Sequence, residues 1–401
     1  MPETGAPHYF CTYFDRNYMT RGLALYESLK RECRHPFLLW VLCFDDETRA
    51  TLAALNLPEI RLVSEQEFEA GDEELQRAKT NRSRVEYYWT CSPSLPLYIF
   101  NRHPEVDILT YLDADLYFFS DPQPIFDEFG GNSILAIEHR YTPELAGLAD
   151  ESGKYNVGLL SFRPDENGLA CLRWWRERCI EWCYARYENG KYGDQFYLDE
   201  WPNLFNGFCS LQHKGAGLAP WNYLQYHLQV QNGKISVDGQ PLIFFHYHGF
   251  RYVHEHIANP VSYAYKLTEF TLWNLFFPYA AALTRLSVDL KRPLVDPNRR
   301  LTWIELLSGL FERRMFLTNS TRSALTAWNL AFWAKDNPER ITTGFDAFDH
   351  NNMGQVQRSL LLALFFNPLQ LGNIEITSRL AKSIVGEKLT RLVRAWKHRR
   401  A

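Results

Sequence analysis

The sequence predicts an α/β fold with a mostly parallel central sheet, followed by a helical C-terminal region. Short apolar runs alternate with amphipathic segments over about the first 250 residues, which is the β-α-β pattern of such folds. One run, Phe37–Phe44, is apolar throughout, as expected for a parallel strand buried on both faces. After about residue 260 the strand pattern is lost and helical spacing takes over. We therefore expect one domain at 1–260 and a helical region at 261–401.

Each expected element follows from the local spacing of apolar residues. The first helix, for example, places Leu23, Tyr26 and Leu29 on one face. The expected elements of the first half are strand His8–Thr12, helix Thr20–Arg31, strand Phe37–Phe44, helix Glu47–Leu55, strand Ile60–Val63, an apolar segment Leu95–Phe100 at a helix entry, and strand Asp107–Leu112. The expected C-terminal helices are Tyr263–Leu286, Trp303–Arg313, Ser323–Ala334, Gln355–Phe366 and Ile376–Trp396.

The composition is that of a folded protein. The chain has 401 residues, 46% hydrophobic, 22% charged and 15% aromatic, with a formal net charge of −4, which excludes a mainly disordered protein. The slight acidity argues against a nucleic-acid-binding protein, which would be basic. The eight cysteines form no CxxC pair, the N-terminus has no signal-peptide pattern, and the apolar stretch Phe270–Leu283 is too short to span a membrane. We expect a cytoplasmic protein, soluble or peripheral.

The most informative segment is ILTYLDADLYFFSDP, residues 108–122. An apolar strand leads to Asp113 and Asp115, and apolar residues resume directly afterwards. Alternate residues of a strand face the same side, and open α/β sheets bind ligands at the carboxyl ends of their strands. Two carboxylates at this position form a site for Mg²⁺ or Mn²⁺, which would bridge to substrate phosphates. The competing interpretation is a solvated turn or a helix cap.

Two classes of enzyme place such a pair after an apolar strand. In phosphohydrolases of the haloacid dehalogenase type the first Asp is the nucleophile, and the motif continues with Thr or Val near the start of the chain. Here Leu116 follows, and about 110 residues precede the pair. In nucleotide-sugar transferases the pair holds a metal against the diphosphate. The downstream segments favour this second class.

Further short motifs follow the acidic pair in a defined order. They are Asn156-Val157-Gly158 before an apolar strand, Asp194-Gln195, Trp221-Asn222, and His246-Tyr247-His248-Gly249. Together with Asp15 and Asn17 after the first strand, this order resembles the retaining glycosyltransferases of the glycogenin and lipopolysaccharide galactosyltransferase type, which have the glycosyltransferase A fold. The resemblance covers about residues 8 to 255. It implies a nucleotide-sugar-binding catalytic domain.

The resemblance implies that Asp113, Asp115 and His246 hold Mn²⁺ or Mg²⁺. A divalent metal stabilises the charge that develops on the leaving phosphate, and His is a suitable ligand for Mn²⁺ beside two carboxylates. Asp194 and Gln195 match the pair nearest the anomeric carbon. Either could be a nucleophile or could stabilise an oxocarbenium-like transition state, and the sequence leaves both open.

The resemblance also implies a set of donor-binding residues. They are Asp15 and Asn17 for the base, Asn156 near the donor sugar, and Arg84, Trp221, Asn222, Gly249 and Arg251. The chain departs from the family at two points. Tyr252 stands where the family has a Lys that contacts the diphosphate, and Arg251 beside it could substitute. The family's Arg before the acidic pair is missing, so Arg84 or Lys79 is a candidate by proximity, and His248 is a second possible metal ligand.

The C-terminal segment 388–401 has the pattern of a basic amphipathic helix. It carries six Lys/Arg and no acid, and Leu389, Leu392, Val393 and Trp396 share one face. Such a helix either lies on an anionic membrane surface or docks its apolar face on the helical region, and both interpretations stay open.

Together these features predict a metal-dependent retaining glycosyltransferase of lipopolysaccharide or polysaccharide biosynthesis. It would move a sugar from a nucleoside-diphosphate donor, most simply a UDP-sugar, to a glycan or glycolipid acceptor, and it would lie on the inner face of the membrane if 388–401 binds lipid. The alternatives are a phosphohydrolase that uses Asp113 and a non-catalytic relative that binds nucleotide sugars or glycans. No nucleic-acid partner is expected.

Overall fold

Two units make up the chain, Met1–His248 and Gly249–Ala401. The computed structural model describes residues 5–254, 257–260, 265–295, 301–302, 316–317 and 341–342. The expected helices from Trp303 onwards and the basic segment 388–401 therefore lie outside the described residues, and the predicted division near residue 260 stays a prediction.

The first unit is built on a seven-stranded sheet. The strands of this unit, of which seven form the large sheet, are β1 His8–Phe14, β2 Phe37–Cys43, β3 Ile60–Ser64, β4 Leu109–Leu112, β5 Leu116–Phe118, β6 Ile134–Glu138, β7 Tyr155–Phe162, β8 Phe208–Ser210, β9 Leu228–Gln231, β10 Lys234–Val237, β11 Gln240–Pro241 and β12 Phe244–His246. The seven-stranded sheet has the order β3-β2-β1-β4-β7-β6-β8. Within this sheet, β7 is antiparallel to its neighbours β4 and β6, and all other neighbouring pairs are parallel. This mostly parallel sheet confirms the predicted α/β fold class.

Helices connect the strands, and several begin at a sequence-encoded cap. The helices of the first unit are α1 Met19–Glu32, α2 Asp46–Leu55, α3 Glu65–Glu69, α4 Glu73–Asn81, α5 Arg84–Cys91, α6 Ser94–Arg102, α7 Gln123–Phe129, α8 Ala149–Ser152, α9 Glu166–Glu181 and α10 Trp201–Leu204, with 3₁₀ turns at Pro143–Leu148, Phe196–Glu200 and Tyr223–Gln225. Ser83 and Glu86 form a capping box at the start of α5. The expected helix-entry segment Leu95–Phe100 is itself helical, because Pro96 lies in the first turn of α6, where the missing N–H costs no hydrogen bond.

The apolar core of the first unit lies between the central sheet and the helices α5, α6 and α9. Trp175 and Trp201 are fully buried there and pack edge to face, with ring centroids 5.3 Å apart. Cys179 and Cys183 belong to the same cluster as free thiols. Much of the aromatic surplus therefore serves core packing.

The ends of several strands bring polar residues to one edge of the sheet. Asp15 directly follows β1, and Asp113 directly follows β4. Because β7 runs in the opposite direction, its first residues, including Asn156, lie at the same edge. A separate antiparallel pair, β5 and β12, adds His246 opposite Leu116. The edge therefore collects residues from four distant parts of the sequence.

The second unit contains short strands and a helical segment among its described residues. The strands are β13 Arg251–His254, β14 Ile257–Asn259, β15 Leu301–Thr302, β16 Phe316–Leu317 and β17 Ile341–Thr342. The helical segment comprises α11 Glu269–Thr271, a π-helical turn Leu272–Phe276 and α12 Phe277–Asp289. This helical segment overlaps the expected helix Tyr263–Leu286. The strands were not expected, because runs of two to four residues are too short to show alternation. Within the described part of the chain, no helix has the length and apolar character needed to cross a membrane.

Candidate active site

Two aspartates and one histidine meet at the carboxyl edge of the sheet. Asp113 and Asp115 lie in the tight turn that joins β4 to β5, so their shared orientation comes from a turn rather than from the expected continuous strand. The pairing of β5 with β12 sets Leu116 opposite His246, and the Tyr247 amide donates to the Asp115 carbonyl oxygen at 3.0 Å. Nε2 of His246 is 3.2 Å from Oδ1 of Asp115 and 3.6 Å from Oδ2 of Asp113.

These three side chains fit a divalent cation. One ligand atom from each lies within 4.8 Å of the others, the only such His/Cys/Asp/Glu group in the described residues. Adjacent ligands of an octahedral ion with bonds of about 2.1 Å are about 3 Å apart, which is close to the separations between His246 and the two carboxylates. Two oxygen donors and one imidazole nitrogen suit Mn²⁺ or Mg²⁺ by their chemistry. The structure thus brings the three predicted metal ligands together.

The three side chains of the cluster shift one another's pKa values. Burial opposes protonation of the imidazole, but the charges of Asp115 and Asp113 outweigh it and raise the pKa of His246. Burial and the charge of Asp115 raise the pKa of Asp113, whereas His246 overcomes the effect of burial on Asp115 and lowers its pKa. The Tyr111 hydroxyl donates to Oδ1 of Asp113 at 2.8 Å and fixes that carboxylate. Because a metal binds the neutral imidazole, a proton and a cation would compete for His246.

Gly158 leaves the space that His246 occupies. A Cβ at this position would lie 2.8 Å from Oδ1 of Asn156 and 2.8 Å from Nδ1 of His246. The Asn156 amide is used inside the fold: its oxygen accepts from the Gly158 amide at 3.0 Å, and its nitrogen donates to the Ile137 carbonyl at 3.2 Å. The predicted sugar-binding amide therefore holds the start of β7 in place beside the cluster.

Asp194 is a buried carboxyl group near the cluster. It is 6% exposed, its Oδ2 accepts from the Ser92 hydroxyl at 2.7 Å, and its carbonyl oxygen accepts from Nε1 of Trp175 at 2.7 Å. Burial raises its pKa to about 7, and the charge of Asp113 acts in the same direction. An acidic group poised near neutrality beside a metal site is typical of a catalytic residue.

Asp15, Asn17 and Arg84 lie together at the loop after β1, although Arg84 was expected near the acidic pair. Both Asp15 oxygens accept from Asn17, one from its backbone N–H at 2.8 Å and the other from Nδ2 at 3.1 Å. The second oxygen also accepts from the Tyr88 hydroxyl at 3.2 Å and lies 3.3 Å from Nη2 of Arg84. Lys79, the other candidate by proximity, pairs with glutamates of α3. Arg84, the first residue of α5, therefore contacts the loop after β1.

Several side chains that were predicted to contact the substrate form hydrogen bonds within the fold instead. Trp221 and Asn222 both donate to the carbonyl of His139, at 2.8 Å and 2.9 Å, and the Asn222 side chain is fully buried. The Trp221 ring stands edge-on to the His246 ring, with centroids 5.3 Å apart. Gln195 is half-buried and donates to the Ser152 carbonyl at 2.7 Å. Of these side chains, Trp221 is the one whose ring contacts a residue of the cluster, His246.

Gly249 and Arg251 lie in the second unit. Gly249 has a φ of 77°, which an L side chain rarely adopts, and Arg251 begins β13 with an exposed side chain. Tyr252, at the position of the family's Lys, donates its hydroxyl to the Ala280 carbonyl at 2.7 Å. That position therefore serves packing within the second unit.

Three residues make contacts beside the site that the sequence did not predict. Ser92 contacts Asp194, Tyr13 contacts Ser92 at 2.9 Å, and Tyr111 contacts Asp113. Ser92 belongs to no motif. Tyr111 lies in β4, two residues before Asp113, and Tyr13 lies in β1, two residues before Asp15.

Solved structures with a similar fold are glycosyltransferases. The galactosyltransferase LgtC, in complex with donor and acceptor sugar analogues, matches 60% of this chain and 87% of its own, at 20% identity and a TM-score of 0.41. Mouse xyloside xylosyltransferase 1 matches 61% and 98%, at 13% identity and a TM-score of 0.40. The glycosyltransferase GlyE of Streptococcus pneumoniae TIGR4 matches 77% and 73%, at 17% identity and a TM-score of 0.40.

Two proteins of Bacillus subtilis (strain 168) are related by sequence. No protein-family model matches the chain. The uncharacterized protein YfnF is 33% identical over 278 residues, which cover 66% of this chain and 91% of YfnF. The uncharacterized protein YfnD is 31% identical over 290 residues, which cover 72% of this chain and 92% of YfnD. The chain therefore belongs to the family that includes YfnF and YfnD.

Proposed function

We propose that the protein is a metal-dependent retaining glycosyltransferase. It transfers a sugar from a nucleoside-diphosphate donor, a UDP-sugar, to a glycan or glycolipid acceptor. The observation that carries the proposal is the meeting of Asp113, Asp115 and His246 at the carboxyl edge of an α/β sheet, with the buried carboxyl of Asp194 beside them.

The donor diphosphate would lie at the three-ligand cluster. A bound Mn²⁺ or Mg²⁺ supplies a Lewis acid for the charge on the leaving phosphate. Asp113, Asp115 and His246 would hold it, with the Tyr111 hydroxyl fixing one carboxylate. Gly249 and Arg251 remain candidates for the phosphate groups by the motif resemblance, since a guanidinium suits phosphate.

The base of the donor would lie at the loop after β1. Asp15 and Asn17 form a rigid hydrogen-bonded turn there, and Arg84 and Tyr88 hold the Asp15 carboxylate. Tyr18 is 45% exposed beside this turn, and the Arg21 guanidinium lies 4.5 Å from its ring centroid. Aromatic faces stack on bases of any kind, so base selection rests on the polar groups of the turn.

Asp194 is the candidate for the reacting centre. In its ionised form the carboxylate would stabilise the positive charge that builds on the anomeric carbon, or attack it as the nucleophile of a double displacement. Gln195 follows it in the chain, with its amide tied to the Ser152 carbonyl. Asn156, Trp221 and Asn222 act through the backbone segments that they hold in place.

The proposal includes a glycolipid acceptor and a location at the membrane. A glycolipid acceptor in lipopolysaccharide or polysaccharide biosynthesis lies at a membrane, and the basic amphipathic pattern of 388–401 would bring the enzyme to the inner, anionic face of that membrane from the cytoplasm.

The test is donor turnover by the full chain with a panel of nucleoside-diphosphate sugars. We expect Mn²⁺-dependent release of UDP from one donor, and Mn²⁺-dependent binding of UDP that is abolished by Asp115→Asn. Asp107→Asn is the matched control, because Asp107 is an exposed acid just before β4. Nuclear magnetic resonance of the first product would give the anomeric configuration, which we expect to be retained.

The alternatives give different results in the same assays. Metal-dependent binding without turnover of any donor would indicate a non-catalytic relative. Phosphate release from a simple phosphomonoester that is lost in Asp113→Asn would indicate a phosphohydrolase. Absence of both metal-dependent nucleotide binding and donor turnover would refute the transferase.

A further inference from the structure

A chain of buried hydroxyl groups leads to Asp194 from the central sheet. The Ser92 hydroxyl lies 2.7 Å from Oδ2 of Asp194 and 2.9 Å from the Tyr13 hydroxyl. Ser92 is itself buried, at the end of α5, and Tyr13 belongs to β1. The end of α5 thus contacts one oxygen of this carboxyl group directly, and β1 contacts it through Ser92.

The proton count sets the direction of this chain. An ionised carboxylate only accepts hydrogen bonds, so the single Ser92 proton points to Asp194. The Ser92 oxygen then accepts from Tyr13, whose proton is retained because burial raises its pKa well above the ordinary value. With an ionised Asp194, the Tyr13 hydroxyl therefore donates to Ser92 and the Ser92 hydroxyl donates to Asp194.

The backbone of Asp194 has its own partners. Nε1 of Trp175 donates to the Asp194 carbonyl at 2.7 Å, and Gly193 before it adopts a φ of 53° against the ring of Trp89. The backbone and the carboxyl group of Asp194 are thus fixed by separate partners. In the described residues no Arg or Lys ion pair reaches Asp194, so its orientation depends on neutral donors.

We propose that Ser92, supported by Tyr13, is the positioning residue for Asp194 in glycosyl transfer. The inference rests on the proposed function, since it assigns Asp194 to the reacting centre. Electrostatic stabilisation of a transition state depends on placement, and a displacement of about 1 Å can cost about 100-fold in rate. Ser92 does not touch the donor; it acts through the carboxylate.

The test compares Ser92→Ala, Ser92→Thr and Ser94→Ala in the full chain. Ser94 is the matched control, because it is also buried, two residues later, and its hydroxyl has no hydrogen-bond partner in the described structure. We expect Ser92→Ala to lower kcat between 10- and 100-fold with the donor KM within about twofold, by the same placement argument. Ser92→Thr retains the hydroxyl and should restore kcat, and Ser94→Ala should match the wild type.

Two results would overturn the inference: an unchanged kcat in Ser92→Ala, or an equal loss in Ser92→Thr or Ser94→Ala. A second measurement keeps the inference separate from the proposed function. In a double-mutant cycle of Ser92→Ala with Asp194→Ala, the changes in melting temperature, whatever their sign, should be clearly non-additive, because both substitutions remove the same hydrogen bond. Additive changes contradict the contact whatever the activity; absence of donor turnover with a non-additive cycle refutes the proposed function alone.

Discussion

Replacing Asp194 with Asn should stabilise the protein at alkaline pH. Asp194 is a buried carboxyl group whose side-chain partner is the neutral Ser92 hydroxyl, and Asn keeps its shape while removing the charge. Burial raises the pKa of Asp194 from 3.8 to about 7, so the folded chain must accommodate a buried negative charge whenever the pH exceeds that value.

The sign follows from proton linkage. Between pH 4 and pH 7 the folded protein binds more protons at this site than the unfolded chain, so its stability falls as the pH rises through that window. Each pH unit between the two pKa values corresponds to about 1.4 kcal/mol, which gives a cost of about 4 kcal/mol above pH 7. With about 2 °C for each kcal/mol in a unit of this size, Asp194→Asn should melt roughly 8 °C higher than the wild type at pH 8.5.

The assay is thermal unfolding of wild type and Asp194→Asn in chelator, at pH 4.5 and pH 8.5. The difference in melting temperature should be small at the lower pH and large at the higher one, whereas the exposed control Asp107→Asn should show no such trend. A difference that stays constant with pH, or a variant less stable than the wild type at pH 8.5, would refute the reasoning. Donor turnover should fall at least 100-fold in the same variant.

Three further expectations concern the metal cluster and the C-terminus. The affinity for Mn²⁺, measured by titration calorimetry, should weaken between pH 8 and pH 6, because the raised pKa of His246 lets a proton compete for the imidazole; an affinity independent of pH would contradict this. Gly158→Ala should lower the Mn²⁺ affinity about tenfold, because its Cβ would displace His246, whereas Gly131→Ala, with open space around it, should bind as the wild type does. Deletion of 388–401 should abolish binding to anionic liposomes, and retained binding would favour the docked alternative.

The elements with strong local patterns could be predicted closely. The expected helix Thr20–Arg31 is α1 with one extra residue at each end, and the apolar run Phe37–Phe44 is β2 with one residue less. Asp113 and Asp115 were found because their apolar flanks make an acidic pair conspicuous. Spacing and burial are local properties, which a sequence displays directly.

The remaining parts of the site depend on contacts between distant segments. Ser92 has no motif, and its importance comes only from meeting Asp194 across about 100 residues. Asn222 matched a motif, yet its amide holds the His139 backbone, which only the folded chain reveals. Arg84 was a candidate by proximity to the acidic pair and instead contacts Asp15, because α5 begins beside the loop after β1.

The pairing of β5 with β12 also has a consequence for synthesis of the chain. Asp115 and His246 are separated by roughly 130 residues, so at about 5–20 residues per second a ribosome adds the imidazole of the order of ten seconds after the carboxylates. During that interval the nascent chain carries the acidic pair without its third ligand, and long-range pairing of this kind forms late. Completion of the cluster therefore coincides with completion of the first unit, and a chain truncated before β12 would carry the sheet but no three-ligand site.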